Sequence, residues 1–349
     1  MSRKWKIFAI LLSFCLLQCG RAHAETDNPD GYRLSDPVVH GNLAIYFVYG
    51  KSRGGPVPLT LQEALANKVI AVREIGHVNE LQVENIGDDE IFIQSGDIVK
   101  GGQQDRVLGV SMVLPPHSGA IAIDSFCVES GRWSARGGED ARTFSSAAAA
   151  LPSRTAKLEM AGALTKRPDG TDIAGGARQQ EIWKSVARIQ DKLSANLGSS
   201  VVAPRSRTSL QLTLENDHLA DEQAEYIASL QPSGEQSDDI VGYVFAVNGA
   251  INSADIYPSN GLFRKMWPKL LRTSVTEAIG ERAAENVPAP PTAAVSGFIS
   301  SANSGRAVEA KAGERAGIRM RESPKAMVLE ARPTDAPAAS WVYRSYLAK

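Results

Sequence analysis

The chain between residues 42 and 128 is built from short apolar and β-branched runs that are separated by turn signals. Asn42–Tyr49 reads NLAIYFVY, and further runs cover residues 69–75, 80–86, 90–94, 106–114 and 120–128. Glycine, aspartate and proline separate them, as in GDD at 87–89 and PPHSG at 115–119. Strands at this spacing are typical of antiparallel pairing. We therefore predict an antiparallel, sandwich-like strand region in the N-terminal half.

The rest of the chain adds helices and a further β-hairpin, so the predicted fold class is α+β. Residues 179–197 and 219–230 have the apolar period of helices, and 261–280 reads as a helix that Pro268 must kink or split. Runs 241–247 and 251–257 flank Asn248-Gly249, a dipeptide that type I′ hairpin turns prefer. Thr60 and Glu63 form a capping-box pattern for a short helix. We expect one domain over 25–281, followed by a linker and two C-terminal strands (282–349) that pack on it.

Residues 1–24 have the pattern of a secretory signal peptide. A basic segment, MSRKWK, precedes the apolar run IFAILLSFCLL, and Ala22-His23-Ala24 supplies the small residues of a cleavage site. Cys19 offers the alternative of a lipoprotein, but Gln18 is unsuited to the position before an acylated cysteine. We predict cleavage after Ala24 and a periplasmic or secreted mature protein.

The composition of the predicted mature chain argues against several classes of function. Cleavage after Ala24 removes four basic and no acidic residues. The 38 basic and 39 acidic residues of the full chain become 34 and 39, so the net charge is −5. This charge does not favour nucleic acid or anionic lipid as a partner. Cys127 is the one remaining cysteine, and the histidines are scattered without metal-ligand spacing. We predict no metal, no cofactor, no nucleic-acid partner and no membrane association after cleavage.

Several polar side chains lie at the ends of two predicted neighbouring strands. Arg106 begins the run RVLGVSMVL, Gln104 precedes it by two residues, and Glu129 follows the run AIAIDSFCV. Antiparallel pairing brings the start of one strand beside the end of the next, so Arg106 and Glu129 are expected to be close. Arg132 is a second candidate partner for Glu129, and Trp133 offers a stacking surface for a guanidinium.

Two interpretations of this cluster remain open. In the first, it is a structural brace of ion pairs and hydrogen bonds. In the second, Gln104, Arg106, Glu129, Arg132 and Trp133 form a ligand-binding site in which the arginines, with Lys100, face a small anion of phosphate or nucleotide type.

The sequence also resembles a known family. SGDIVKGGQQDRVLGVSMVLPP (95–116) and FCVESGRWS (126–134) are similar to paired motifs of the ARG and rhodanese-phosphatase-superfamily-associated protein family, and the similarity continues at 179–190, 241–259 and 262–278. It covers about residues 33–280. Matching the motifs residue by residue carries over Gln104, Arg106, Cys127, Glu129, Arg132, Trp133, Trp183 and Asp255. Asp105 stands where an amide is commoner, which weakens the case for a simple anion pocket.

The resemblance implies a domain of unknown function, and the family name points to nucleotide-linked or ADP-ribose-linked ligands by association. Our leading hypothesis is an exported ligand-binding or interaction domain without catalysis. The alternative is a hydrolase acting on a phosphorylated or ADP-ribose-related substrate. In that enzyme Glu129 or Asp255 would be the general base, and Arg106 and Arg132 would stabilise anionic charge.

Overall fold

The computed structural model describes residues 31–132, 134, 143–164, 175–285, 287–312, 316–334, 337 and 340–349. The predicted signal peptide and Trp133 lie outside these residues. Among the residues described, helices and mostly antiparallel sheets confirm the α+β class. None of the helices in this part of the chain combines the length and the apolar character that crossing a bilayer requires.

The strands of the described residues form three sheets. The nine-stranded sheet contains Arg33–Leu34 (β1), Val38–His40 (β2), Leu43–Tyr49 (β3), Ile240–Val247 (β13), Ala250–Ile256 (β14), Arg306–Ala312 (β15), Ala316–Glu322 (β16), Ala326–Pro333 (β17) and Tyr343–Ala348 (β18). The six-stranded sheet contains Ile70–Glu74 (β5), Glu80–Asn85 (β6), Ile98–Gly101 (β8), Arg106–Leu108 (β9), Gly119–Cys127 (β11) and Phe144–Ser146 (β12). Leu59–Thr60 (β4), Ile91–Ile93 (β7) and Met112–Leu114 (β10) form the three-stranded sheet.

Seven α-helices fall within the described residues. They are Leu61–Ala66 (α1), Arg154–Ala163 (α2), Gly175–Leu197 (α3), Leu210–Leu214 (α4), Asp217–Leu230 (α5), Asn260–Gly280 (α6) and Thr292–Asn303 (α7), with a 3₁₀ turn at Gln231–Glu235. Thr60 caps α1 through the predicted box, because its hydroxyl accepts from the Glu63 amide and the Glu63 carboxylate accepts from the Thr60 amide.

The nine-stranded sheet joins the two ends of the chain. Its order is β1-β3-β13-β14-β18-β17-β16-β15, with β2 also paired to β3, and its strands are antiparallel. β3 is apolar throughout because both of its faces are covered. Leu43, Ile45 and Phe47 pack in the same cluster as residues of α5 and α6, whereas Ala44, Tyr46 and Val48 pack with residues of α7. The hairpin β13–β14 turns at Asn248-Gly249, both with positive φ as a type I′ turn requires.

Three local predictions are wrong. Residues 106–114 are not one strand, because the chain passes here from the six-stranded to the three-stranded sheet. Between β9 and β10, the Gly109 amide donates to the Asp124 carbonyl, and the Ser111 hydroxyl accepts from the Ser95 amide. The linker predicted after residue 281 contains a helix, since α7 begins at Thr292 directly after Pro291.

Helix α6 continues through Pro268 as one helix, so the proline does not split it. An internal proline costs about 3 kcal/mol, and the burial of neighbouring apolar side chains such as Trp267 and Leu271 offsets that cost. The predicted hairpin and two C-terminal strands are also too few, because the described residues of the second half contain six strands, β13–β18, which make up most of the largest sheet.

Candidate functional site

The predicted polar residues lie where β8 and β11 end and β9 begins. Arg106 is opposite Cys127 in the antiparallel ladder of β9 and β11, so both side chains leave the same face of the sheet. Helix α3 covers this end, since the Gln179 side chain both accepts from the Cys127 amide (2.9 Å) and donates to the Cys127 carbonyl (2.8 Å). The cluster is therefore interior, with Gln104, Asp105, Arg106, Cys127 and Glu129 all buried.

Gly101 and Gly102 allow the chain to turn between β8 and this cluster. Both have positive φ, a conformation that residues with a Cβ rarely adopt. A Cβ on Gly101 would also collide with the Thr143 carbonyl, and one on Gly102 would collide with Phe144 and approach Glu74 Oε1 to 2.8 Å. The two glycines are thus required by backbone geometry, without a ligand.

Glu129 is fully occupied by neighbouring side chains. Its Oε2 accepts from Arg132 Nε at 2.6 Å, and its Oε1 accepts from the Ser206 hydroxyl. Arg132 Nη1 also donates to the carbonyls of Gly102 (3.3 Å) and Ser134 (2.5 Å). A carboxylate whose two oxygens are engaged in this way at zero exposure is a poor general base.

Asp105 connects the same cluster to a remote part of the chain. Its Oδ1 accepts from the Gly101 amide at 3.0 Å and lies 3.6 Å from Arg132 Nη2, and its Oδ2 accepts from the Ser209 hydroxyl at 3.1 Å. Ser209 is the N-cap of α4. Neighbouring Thr208 exchanges hydrogen bonds with the backbone of Ser130. These contacts fasten residues 206–210 onto the end of β11.

Arg106 was expected close to Glu129, and the structure shows its contacts with three other side chains. Nη1 donates to Gln104 Oε1 (2.8 Å) and to Cys127 Sγ (2.7 Å), and Nη2 lies 4.0 Å from Glu74 Oε1. Burial raises the pKa of the Cys127 thiol, and Arg106 opposes this only in part. The thiol is therefore protonated at neutral pH, which makes it a poor nucleophile.

The balance of charge in this cluster disfavours an anionic ligand. The guanidinium groups of Arg106 and Arg132 face the carboxylates of Glu74, Asp105 and Glu129. Lys100, expected to face an anion, instead binds Glu215 at 2.7 Å. Trp133 lies outside the described residues, and Trp183 is half-buried in α3. Two positive and three negative groups at close range would repel a further negative charge.

Asp255 does not join this cluster, because it lies on β14 of the nine-stranded sheet. It accepts a hydrogen bond from the Tyr343 hydroxyl and is buried. Burial, reinforced by Asp255, raises the pKa of both Tyr243 and Tyr343 well above that of an ordinary tyrosine. The adjoining cavity, which both tyrosines line, has a volume of about 40 Å³. That volume suits a few water molecules and not a substrate.

A larger cleft lies between α2, α3, α6 and the turn of the β13–β14 hairpin. Its volume is about 380 Å³, and its lining includes Arg154, Arg188, Lys192, Asn252, Glu277 and Glu281. Part of this set is marked in the sequence by the spacing of its charges. Arg188 and Lys192 on α3 have i,i+4 spacing, and so have Glu277 on α6 and Glu281 at its C-cap, which places each pair of like charges on one face of a helix.

The floor of the cleft carries two buried hydrogen-bond acceptors. Glu277 Oε1 accepts from the Arg154 amide and from Asn252 Nδ2, both at 3.0 Å. Glu277 Oε2 and Asn252 Oδ1 have no hydrogen-bond donor among the described residues. Glu277 is 8% exposed and Asn252 is 6% exposed. At the rim, Lys192 pairs with Glu281 at 2.6 Å.

Comparison with known protein families identifies the family of the chain. No curated protein and no solved structure matches the sequence. The profile of the ARG and Rhodanese-Phosphatase-superfamily-associated Protein domain matches residues 31–347, which extends the motif similarity to almost the whole chain. The chain therefore belongs to the ARG and Rhodanese-Phosphatase-superfamily-associated Protein domain family.

Proposed function

We propose that the mature chain is an exported small-molecule-binding domain without catalysis, and that its ligand binds in the cleft between α2, α3, α6 and the β13–β14 turn. The observation that carries this proposal is the pair of unpartnered acceptors, Glu277 Oε2 and Asn252 Oδ1, which line a cleft of about 380 Å³. A buried acceptor without a donor costs about 1–3 kcal/mol, and a bound ligand relieves that cost. Ligand pockets have volumes of about 300–1,000 Å³.

In this proposal the polar cluster at the end of β11 is a brace. Glu129, Asp105 and Arg132 hold residues 206–210 against the end of β11. The net negative charge and the engaged oxygens of the cluster support this role over an anion site. The hydrolase hypothesis receives little support, because Asp255 on β14 and Glu129 just after β11 are both buried and each already accepts a side-chain hydrogen bond.

The test compares two variants of helix α2. Thr155→Trp places an indole at an exposed position that lines the cleft, whereas Glu159→Trp adds the same side chain to the same helix outside the lining. The mature protein is mixed with fractionated extract of its own cells, and melting temperatures are recorded. A ligand at a hundredfold excess over Kd adds about 2.7 kcal/mol of stability.

We expect at least one fraction to raise the melting temperature of the wild type and of Glu159→Trp, but not that of Thr155→Trp. A stabilising effect that survives in Thr155→Trp would place the ligand elsewhere and contradict the proposal. The proposal is also contradicted if no fraction raises the melting temperature and crystals of the protein grown with the extract show no density in the cleft. If the protein steadily converts the bound compound, it is an enzyme, and the proposal of binding without catalysis is wrong.

A further inference from the structure

We propose, building on the ligand-binding function above, that the cleft recognises a small molecule that carries both a protonated amine and an anionic group. The amine binds Glu277 and Asn252 at the floor, and the anionic group binds the guanidinium groups of Arg154 and Arg188. The chemistry of the floor and of the rim each supports one half of this assignment.

The floor requires a hydrogen-bond donor with positive charge. Both unpartnered atoms, Glu277 Oε2 and Asn252 Oδ1, are acceptors. The partners of Glu277 Oε1 are a backbone amide and an amide side chain, and no cationic side chain of the described residues lies within 4.0 Å of this carboxylate. A buried carboxylate is stable when a cation compensates its charge. A ligand ammonium supplies both the N–H groups and the charge.

The rim requires an anion. Arg188 is exposed and donates to the Ser185 hydroxyl at 2.9 Å, and Arg154 Nη1 donates to the Ile251 carbonyl at 3.3 Å. Neither guanidinium lies within 4.0 Å of a carboxylate of the described residues, whereas Lys192 is neutralised by Glu281. Guanidinium groups bind carboxylate and phosphate through paired, charge-assisted hydrogen bonds.

The size and net charge of the cleft further restrict the size and charge of the ligand. Three basic and two acidic side chains line it, which leaves one positive charge for the ligand to balance. A volume of about 380 Å³ is near the lower end for ligand pockets. The favoured ligand is thus comparable in size to an amino acid and has one more negative than positive charge, as an amino dicarboxylate or a phosphorylated amine has.

The test uses calorimetric titration of the mature protein with matched probes. L-Aspartate and succinate differ by the amine alone, and O-phosphoethanolamine is compared with inorganic phosphate and with ethanolamine. We expect the two probes that carry both groups to bind, and loss of either group to raise Kd by about tenfold or more.

Two variants assign the groups. Glu277→Gln should weaken aspartate binding and leave the weak succinate binding unchanged, because it removes the partner of the amine. Arg188→Gln, at an exposed position that should not affect folding, should weaken both. Lys184→Gln is the control, since Lys184 is exposed on the same helix and does not line the cleft.

The outcomes separate this inference from the function on which it rests. Equal binding of aspartate and succinate, with both lost in Thr155→Trp, would contradict the amine site while the binding function stands. A ligand from the cell extract that occupies the cleft but lacks either group would do the same. If neither the probes nor the extract binds, both proposals fail.

Discussion

Glu129→Gln removes one charge from the buried brace and keeps the shape of the side chain. In the wild type, Glu129 accepts from Arg132 Nε at 2.6 Å and from the Ser206 hydroxyl, and it has no exposed surface. The single carbonyl oxygen of glutamine can accept one of these bonds well. The variant therefore loses about one charge-assisted hydrogen bond, worth about 1.5–3 kcal/mol. Glu129→Ala loses both bonds and leaves a cavity.

The remaining contacts of Arg132 limit how much unfolding free energy is lost when Glu129 is replaced. Removing one member of a buried ion pair costs about 3–5 kcal/mol when the other charge is left alone. Here Asp105 Oδ1 stays 3.6 Å from Arg132 Nη2, and two backbone carbonyls still accept from Nη1. We therefore expect Glu129→Ala to cost about 3 kcal/mol, at the lower end of that range, and Glu129→Gln to cost less.

Urea unfolding followed by fluorescence measures the difference. With a slope of about 3 kcal/mol per molar urea, Glu129→Gln should lower the midpoint by about 0.5–1 M. Glu84→Gln is the control, because Glu84 pairs with Arg73 at 2.6 Å on the surface, where such pairs are worth about 0–1 kcal/mol. If Glu129→Gln lowers the midpoint no more than Glu84→Gln does, Glu129 is solvated and the brace assignment is wrong.

Three further outcomes follow from burial and charge, and a fourth follows from the signal-peptide pattern. Burial alone would raise the pKa of Glu330, but Arg344 and Arg332 hold it below its ordinary value of 4.5. This contribution to stability is therefore present above that pH and lost as pH falls through the lowered folded-state pKa, and acid unfolding of Glu330→Gln should be less steep in that range. Cys127 should not react with a thiol reagent in the native mature protein and should react once in denaturant, so native labelling would contradict its burial. Absorbance titration at alkaline pH should show a group of tyrosines that ionise only on unfolding, and normal titration of all tyrosines would refute the buried cluster of Tyr243, Tyr257 and Tyr343. Intact mass of the protein from its own envelope should correspond to a chain beginning at Glu25, whereas an acylated chain beginning at Cys19 would exclude the predicted cleavage.

Local features were readable from the sequence because their causes are local. The Thr60–Glu63 capping box and the Asn248-Gly249 turn depend on residues within a few positions of each other, and the structure confirms both. The adjacency of the start of β9 and the end of β11 was also predictable, because a short connection between apolar runs favours antiparallel pairing. The motif similarity identified the family from the same residues.

The brace was only half predictable. That Glu129 needs a cationic partner follows from its position at the end of an apolar strand. The structure selects Arg132, and it adds Ser206 and Ser209, which lie more than seventy residues further along the chain. No spacing pattern connects Ser206 to Glu129 or Ser209 to Asp105, because both contacts depend on where the segment before α4 packs.

The cleft and the largest sheet were decided by tertiary structure alone. β3 pairs with β13, and β14 pairs with β18, so the sheet forms only when distant segments meet. The charges on α3 and α6 have a helical spacing that the sequence shows, but the sequence does not indicate that these two faces oppose each other across Asn252. Hydrophobic burial determines which helices pack together, and it is non-directional and summed over the whole core. The sequence by itself determined the family, the fold class and the elements with local causes, and long-range packing determined which polar groups meet.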